Sequence, residues 1–220
     1  MGIKNLKGIE INPEAVKIAK DQLSHIQHHE IIHDSAENLP FESQSIDTVL
    51  CSEVLEHIPN ELRSQVIQSI HRVLIPHGTL ILTVPYQGAF SCLDPANIRF
   101  RLPKIFRWIS QLLGGKGRDA GFIGQKQGII WHHHFKLSEL EQLLTPDFKI
   151  KQIRWRGCLL TPLCGYLAFP FYRKGWFDHP ILQFIQAIET LEMQVQFGPF
   201  WSYNILIVAQ KNQTQESQLK

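Results

Sequence analysis

Three places along the chain set a carboxylate directly behind a short apolar run: Glu10 after Lys7 to Ile9, Asp34 after His29 to His33, and Glu53 with Glu56 after Ile46 to Cys51. Ligands of open α/β sheets bind outside the carboxyl ends of the strands, so acids at those ends meet a bound molecule rather than the core. Two acids in that position suit a nucleoside: one accepts hydrogen bonds from both ribose hydroxyls, the other from an exocyclic amine. Taken singly, each acid reads first as a solvated strand end or a helix cap. In chain order and at βαβ spacing, together they favour a nucleoside pocket.

His57 is the base of choice, because an imidazole that titrates at about 6.5 transfers protons near neutrality. Its structural alternative is a cap or packing role at the start of a helix. Glu53, Glu56 and His57 fall at i, i+3 and i+4, which share one face of a helix. With one of His132, His133 or His134 they form a second possible arrangement, a divalent metal site. The triple histidine also reads as a loop in which one ring bonds backbone and the others face solvent.

The elements that position these residues alternate in the first half of the chain. Strands are expected at Lys7–Glu10, His29–His33, Ile46–Cys51 and Thr79–Val84, with helices at Pro13–Gln27 and Asn60–Leu74, the latter ended by Pro76 and Gly78. This is the pattern of a Rossmann-like, doubly wound, mostly parallel sheet. Pro13 suits a first helical turn, where its missing N–H is no loss. Beyond Pro85 an amphipathic helix is expected through Leu102, Ile105, Phe106, Ile109, Leu112 and Leu113, with Arg101, Lys104 and Arg107 on it. A further helix is expected at Leu137–Leu144, opened by a Ser138/Glu141 capping box. Strands at Phe148–Arg156 and Tyr203–Gln210 bracket an apolar insertion with a helix near Pro180–Gln194. The organisation is one domain over 1–210, with lid insertions at about 87–131 and 157–200 and a disordered polar tail at 211–220.

A chain of 220 residues with 44% hydrophobic and 19% charged residues suits one such domain, and a net charge of +2 gives no global signal for nucleic acid. Cys51, Cys92, Cys158 and Cys164 form no CxxC pair, so neither a zinc ribbon nor a disulfide framework is indicated. A cytoplasmic setting is expected, with peripheral contact to a membrane as an addition.

The blocks "GIEINPEAVKIAK", "HDSAENLPFESQSIDTVLCSEVLEHIPN" and "IHRVLIPHGTLILTVPY" resemble class I S-adenosylmethionine-dependent methyltransferases of the type 11 group. The resemblance is dense from Lys7 to Tyr86 and thin beyond. It implies S-adenosylmethionine as cofactor, with Glu10 on the ribose, Ile11 against the adenine, Asp34 on the adenine amine, and Ser35 and Ala36 beside it. Ser52 and Glu53 would face the methionine part and the acceptor, with His57 and Glu56 as catalytic groups. The departure is at the front. The group's first strand and its glycine-rich turn have no counterpart in Met1 to Leu6, so the chain reads as a truncated methyltransferase or one whose sheet has closed over the gap. Glu-x-x-Glu-His also resembles metal-dependent small-RNA 2′-O-methyltransferases and some quinone-biosynthesis O-methyltransferases.

The apolar lid, with Phe100, Ile105, Trp108 and a second stretch from Leu159 to Phe171, points to a small hydrophobic, lipid-linked or quinone-like acceptor. RNA is disfavoured by the scarcity of basic residues among aromatics. A noncatalytic methyltransferase-like interaction module and a metal-dependent RNA 2′-O-methyltransferase are the two alternatives.

Overall fold

The computed structural model describes residues 4–97 and 132–212, together with Leu102, Lys104 and Trp108. Apart from those three residues, the lid helix expected around Leu102 to Leu113 lies outside the described residues, as does the tail from 213.

Local sequence signals set the first unit. Strand β1 (Leu6–Glu10) runs into α1 (Pro13–Leu23), whose start is fixed by Asn12: its side chain accepts from Glu14 N at 2.9 Å and Ala15 N at 3.4 Å, with Pro13 in the first turn. The helix stops at Leu23, four residues before the expected Gln27, and His28 turns the chain at a φ of 62° into β2 (His29–His33). β1 and β2 pair in parallel, Leu6 opposite His29 and Glu10 opposite His33.

The second unit is a four-stranded sheet in the order β3 (Ile46–Ser52), β4 (Leu74–Pro85), β6 (Asn204–Lys211), β5 (Phe148–Arg156). β3 and β4 are parallel, and β6 runs antiparallel to both β4 and β5. β4 starts at Leu74 rather than Thr79, because Ile75 to Gly78 bulge out of the ladder between the Ile46–Leu74 and Thr48–Thr79 pairs. His77 there has a φ of 62°, and a side chain at Gly78 would sit 2.9 Å from the Ile75 carbonyl. Helix α2 (Asn60–Val73) therefore ends one residue earlier than expected.

Neither β1 nor β3 pairs with a strand on its other edge among the described residues. The two sheets share one core all the same. Val66, Ile67, Ile70 and Val73 of α2 pack on Leu80, Leu82 and Val84 of β4 and on Ile205 and Ile207 of β6, and Ile9 of β1 joins from the edge. Each fully buried aliphatic side chain contributes about 1.5–3 kcal/mol. Arg72 of α2 donates to the Leu39 and Phe41 carbonyls, tying the segment after β2 to the helix.

Helix α3 (Leu137–Leu144) is where the sequence puts it, but not capped as expected: Glu139 Oε2 accepts from Lys136 N at 2.9 Å, which replaces the Ser138/Glu141 box. The Leu159–Phe171 stretch is a 15-residue helix, α4 (Leu160–Lys174), packed on α5 (Pro180–Gln194) through Cys164, Ala168, Leu182 and Ile185. Pro162 is tolerated in its first turn and Pro170 near its end. The buried carboxylate of Glu192 closes the N-terminus of α4, accepting from Cys158 N, Leu160 N, Thr161 N and Thr161 Oγ1 at 2.7–2.9 Å.

Candidate functional site

At the carboxyl end of β1, Glu10 Oε1 accepts from Asn12 N at 2.8 Å, which holds the chain in the turn that starts α1. Among the described residues its second carboxylate oxygen has no hydrogen-bond partner, and Ile11 beside it is 67% exposed. Asp34 N donates to the Glu10 carbonyl at 3.2 Å, so the two acids leave adjacent strand ends together. His33 Nε2 bonds the Ile11 carbonyl at 2.9 Å across this turn. Asp34 Oδ1 is engaged by Ser35 N at 2.7 Å, and Ala36 opens a single 3-10 turn, Ala36–Asn38. The structure thus brings Glu10, Ile11, Asp34 and Ser35 to one rim.

At the end of β3, Ser52 Oγ and Thr83 Oγ1 lie 2.8 Å apart. Glu53 follows with a φ of 53°, a conformation that a residue with a Cβ adopts at a cost of about 1 kcal/mol or more and that recurs at ligand sites. Its Oε1 accepts from Thr83 Oγ1 at 3.0 Å and Asn204 Nδ2 at 3.1 Å. Desolvation, then the charge of Glu56, pushes the Glu53 carboxyl up to about 7.

Behind it lies a buried cluster. Leu55–His57 form a 3-10 turn rather than the helix on which Glu53, Glu56 and His57 would share a face. Glu56 is 1% exposed, and neither carboxylate oxygen has a hydrogen-bond partner. Oε1 of Glu56 is 3.8 Å from His57 Nε2 and 3.8 Å from His132 Nε2, and the two rings are 5.1 Å apart between centroids. The other face of His132 is fixed: Nδ1 lies 2.7 Å from Asp94 Oδ2, and the Asn97 side chain accepts from His132 N and donates to its carbonyl. His134 Nε2 approaches the same Asp94 oxygen at 3.2 Å.

The two rings differ in charge state. Burial lowers His57, against the pull of Glu56, so its neutral form prevails near pH 7. Burial also pushes His132 down, but the Asp94 and Glu56 carboxylates outweigh it and raise the ring to about 9. Asp94 is raised by burial and held far below the usual carboxylate range by its bonds to His132 and His134.

Among the triple histidines, His132 belongs to this cluster and His134 supports it, while His133 faces Glu139 at 3.3 Å. The sequence did not point to Asp94. Its partner stands 38 residues away, and Asp-Pro-Ala-Asn reads as a turn. Burial makes Cys51 a poor nucleophile, with its thiol pushed up to about 12.

Farther out, α4 and α5 leave Leu167, Phe184 and Leu191 60–66% exposed. Trp176 and Phe177 are half exposed in the turn between the helices, with Lys174 Nζ 4.4 Å over the Trp176 ring and His179 stacked on it. Among the described residues no helix is long and apolar enough to cross a membrane.

Known proteins meet the chain at both levels. Residues 1–82 match the methyltransferase domain family. Demethylmenaquinone methyltransferases from Staphylococcus haemolyticus and Staphylococcus epidermidis are 28% and 27% identical to it over 74 residues, 34% of this chain and 30% of theirs. The stretch shared with these relatives is thus less than a third of their length. Among solved structures, a SAM-dependent methyltransferase from Methanosarcina mazei superposes with a TM-score of 0.55 at 20% identity, over 96% of this chain and 83% of that one. The [4+2]-cyclase SpnF superposes with 0.54 at 17%, over 96% and 67%. The shared fold therefore hosts more than one reaction. Residues 1–82 are thus similar to the methyltransferase domain family, and the described residues share the fold of S-adenosylmethionine-dependent methyltransferases.

Proposed function

We propose that the chain is an S-adenosylmethionine-dependent methyltransferase acting on a small hydrophobic, quinone-like or lipid-linked acceptor. The observation that carries this reading is the pairing of Glu10 and Asp34 on adjacent parallel strand ends, within the segment that matches the methyltransferase domain. The donor set fits the nucleoside half of the cofactor: a carboxylate oxygen of Glu10 for ribose hydroxyls, exposed Ile11 for the adenine face, Asp34 and Ser35 for the amine edge. Ser52 and Glu53 stand where the methionine half and the acceptor would approach, although the described residues hold no glycine-rich turn for the methionine carboxylate.

Bound S-adenosylmethionine supplies a methyl already activated on a sulfonium. What the protein adds is alignment, exclusion of water and removal of the acceptor proton. His57, neutral near pH 7 and half exposed, takes a hydroxyl proton on Nε2. Glu56, 3.8 Å away and without hydrogen-bond partners, then stabilises the imidazolium so formed. His132, already cationic near neutrality, has no free lone pair with which to take that proton.

The similarity to enzymes named for a demethylated menaquinone supports a quinone-like acceptor, as do the bare apolar side chains of α4 and α5. The same face, with Trp176 and Phe177 at its tip, suits shallow contact with a membrane. Calorimetry tests the reading: saturable binding of S-adenosylmethionine, lost at least tenfold in Glu10→Ala, supports it. Absence of binding favours the interaction-module reading, and unchanged affinity in the variant removes Glu10 from the ribose.

A further inference from the structure

We infer that Phe200, Trp201 and Asn204, with Phe90 against Trp201, form the binding element for the methyl acceptor, and that it takes a flat aromatic ring carrying a hydrogen-bond donor such as a hydroxyl. The use of this element rests on the methyltransferase reading, but its existence does not. Asn204 opens β6, which runs antiparallel to β4, and pairs with Pro85 at the end of that strand. The residues just before Asn204 therefore lie past the carboxyl end of β4, on the edge of the sheet where ligands of open α/β folds bind.

The backbone there is fixed from several sides. Ala89 N donates to the Phe200 carbonyl and Tyr86 N to the Tyr203 carbonyl, both at 2.7 Å, and Tyr203 N donates to the Gly157 carbonyl at 3.0 Å. Trp201 N closes a turn on the Gly198 carbonyl at 3.1 Å, and Gly88 packs so closely on the Ser202 carbonyl that a Cβ would not fit. Ser202 and Tyr203 are buried, yet Phe200 and Trp201 are 67% and 51% exposed. These two rings meet edge to face at 85° with centroids 4.8 Å apart, and Phe90 stacks on Trp201 at 5.9 Å. Open rings held rigidly on a ligand-binding edge suit a further flat ring.

Asn204 adds the polar group. Its Nδ2 donates to Glu53 Oε1 at 3.1 Å, which fixes which end of the amide is oxygen, and Oδ1 is buried with no hydrogen-bond partner among the described residues. An amide oxygen only accepts, so it selects a ligand with a hydrogen to give, a hydroxyl or amine rather than an ether or a quinone carbonyl. Trp201 and Asn204 stand three residues apart, at most about 10 Å of chain, within the reach of one two-ring aromatic. Apolar walls with a few placed polar groups are the usual make-up of a small-molecule site.

The test is equilibrium dialysis of 2-naphthol and of 2-methoxynaphthalene, which lacks the donor hydrogen, with no cofactor present. One 2-naphthol per chain is expected, bound about tenfold more tightly than the ether. Trp201→Leu weakens both probes by about fivefold and keeps the preference. Asn204→Leu reduces the preference to under about twofold and leaves the ether's affinity unchanged, a split that a merely structural role would not produce. Ile18→Ser, which removes a side chain 57% exposed on α1, changes neither. Should Asn204→Leu not melt cooperatively, the wild-type comparison of the two probes still decides the donor claim. Equal binding of the probes overturns the inference, as does binding of neither or unchanged affinity in Trp201→Leu. Displacement of 2-naphthol by S-adenosylmethionine would give the rings to adenine, and a dimer lost in Trp201→Leu would give them to a second copy, each overturning it. Because S-adenosylmethionine binding is measured separately, failure of the ring site leaves the methyltransferase reading standing, and the reverse also holds.

Discussion

The rim at β1 and β2 and the cluster behind β3 are built in opposite ways. Glu10 and Asp34 stand at an exposed edge, held by bonds to residues one or two positions away, Asn12 N and Ser35 N. Glu56 and Asp94 are buried to 1% and 2%, and His132, which lies against both, comes from 76 and 38 residues away along the chain. The groups of the rim cost the fold little. The cluster places charge in the core, where each partner it lacks is expensive and each partner it has is hard to remove.

That contrast sets the order of expected effects. Asp94→Asn leaves His132 and His134 without their carboxylate and destabilises the protein by about 3–5 kcal/mol in denaturant unfolding. A loss under 1 kcal/mol would mean that the buried pairing contributes little. Glu56→Gln removes the second carboxylate that faces the cationic His132, at 3.8 Å rather than 2.7 Å, so it also destabilises the protein, but by less than Asp94→Asn; an unchanged or more stable variant would show that the Glu56–His132 pair contributes nothing.

Glu192 offers a buried carboxylate that is fully bonded, so its removal has the sign of Asp94 and a smaller size. Glu192→Gln costs about 1–2 kcal/mol by uncapping α4. Burial raises this carboxyl, and the bonds from Cys158, Thr161 and Leu160 outweigh that and hold it below the usual range. Its contribution is therefore complete above the ordinary carboxylate pKa of about 4.5 and falls away as pH drops through the folded-state value. The wild-type melting temperature should fall more steeply than the variant's in that acid window. Parallel curves would remove the cap from the account.

The same contrast explains what was legible in the sequence. Glu10, Asp34 and the Asn12-Pro13 helix start are short-range features, and β2, α3, α5 and β5 fell where hydrophobic spacing put them. Asp94 joins His132 only through the fold, and no spacing announces it. Pro162, Gly165 and Pro170 concealed α4, because their helix-breaking tendency is overridden by packing against α5 and by the Glu192 cap. Glu53 was placed beside Glu56 and His57 by helical periodicity, but its left-handed backbone and the 3-10 turn at Leu55–His57 break that face. A bulge of four residues hid the start of β4 for a similar reason: it is stabilised by pairing with β3, not by local propensity.

The rim carries the smallest predicted change and the most direct test. Asp34 is solvent-exposed, so Asp34→Ala should alter stability by less than about 0.5 kcal/mol. Titration of S-adenosylmethionine into this variant and the wild type by calorimetry addresses the central claim. The account predicts saturable wild-type binding that weakens about tenfold in Asp34→Ala with the melt unchanged, and equal affinity in the two proteins, or no binding by the wild type, would contradict it.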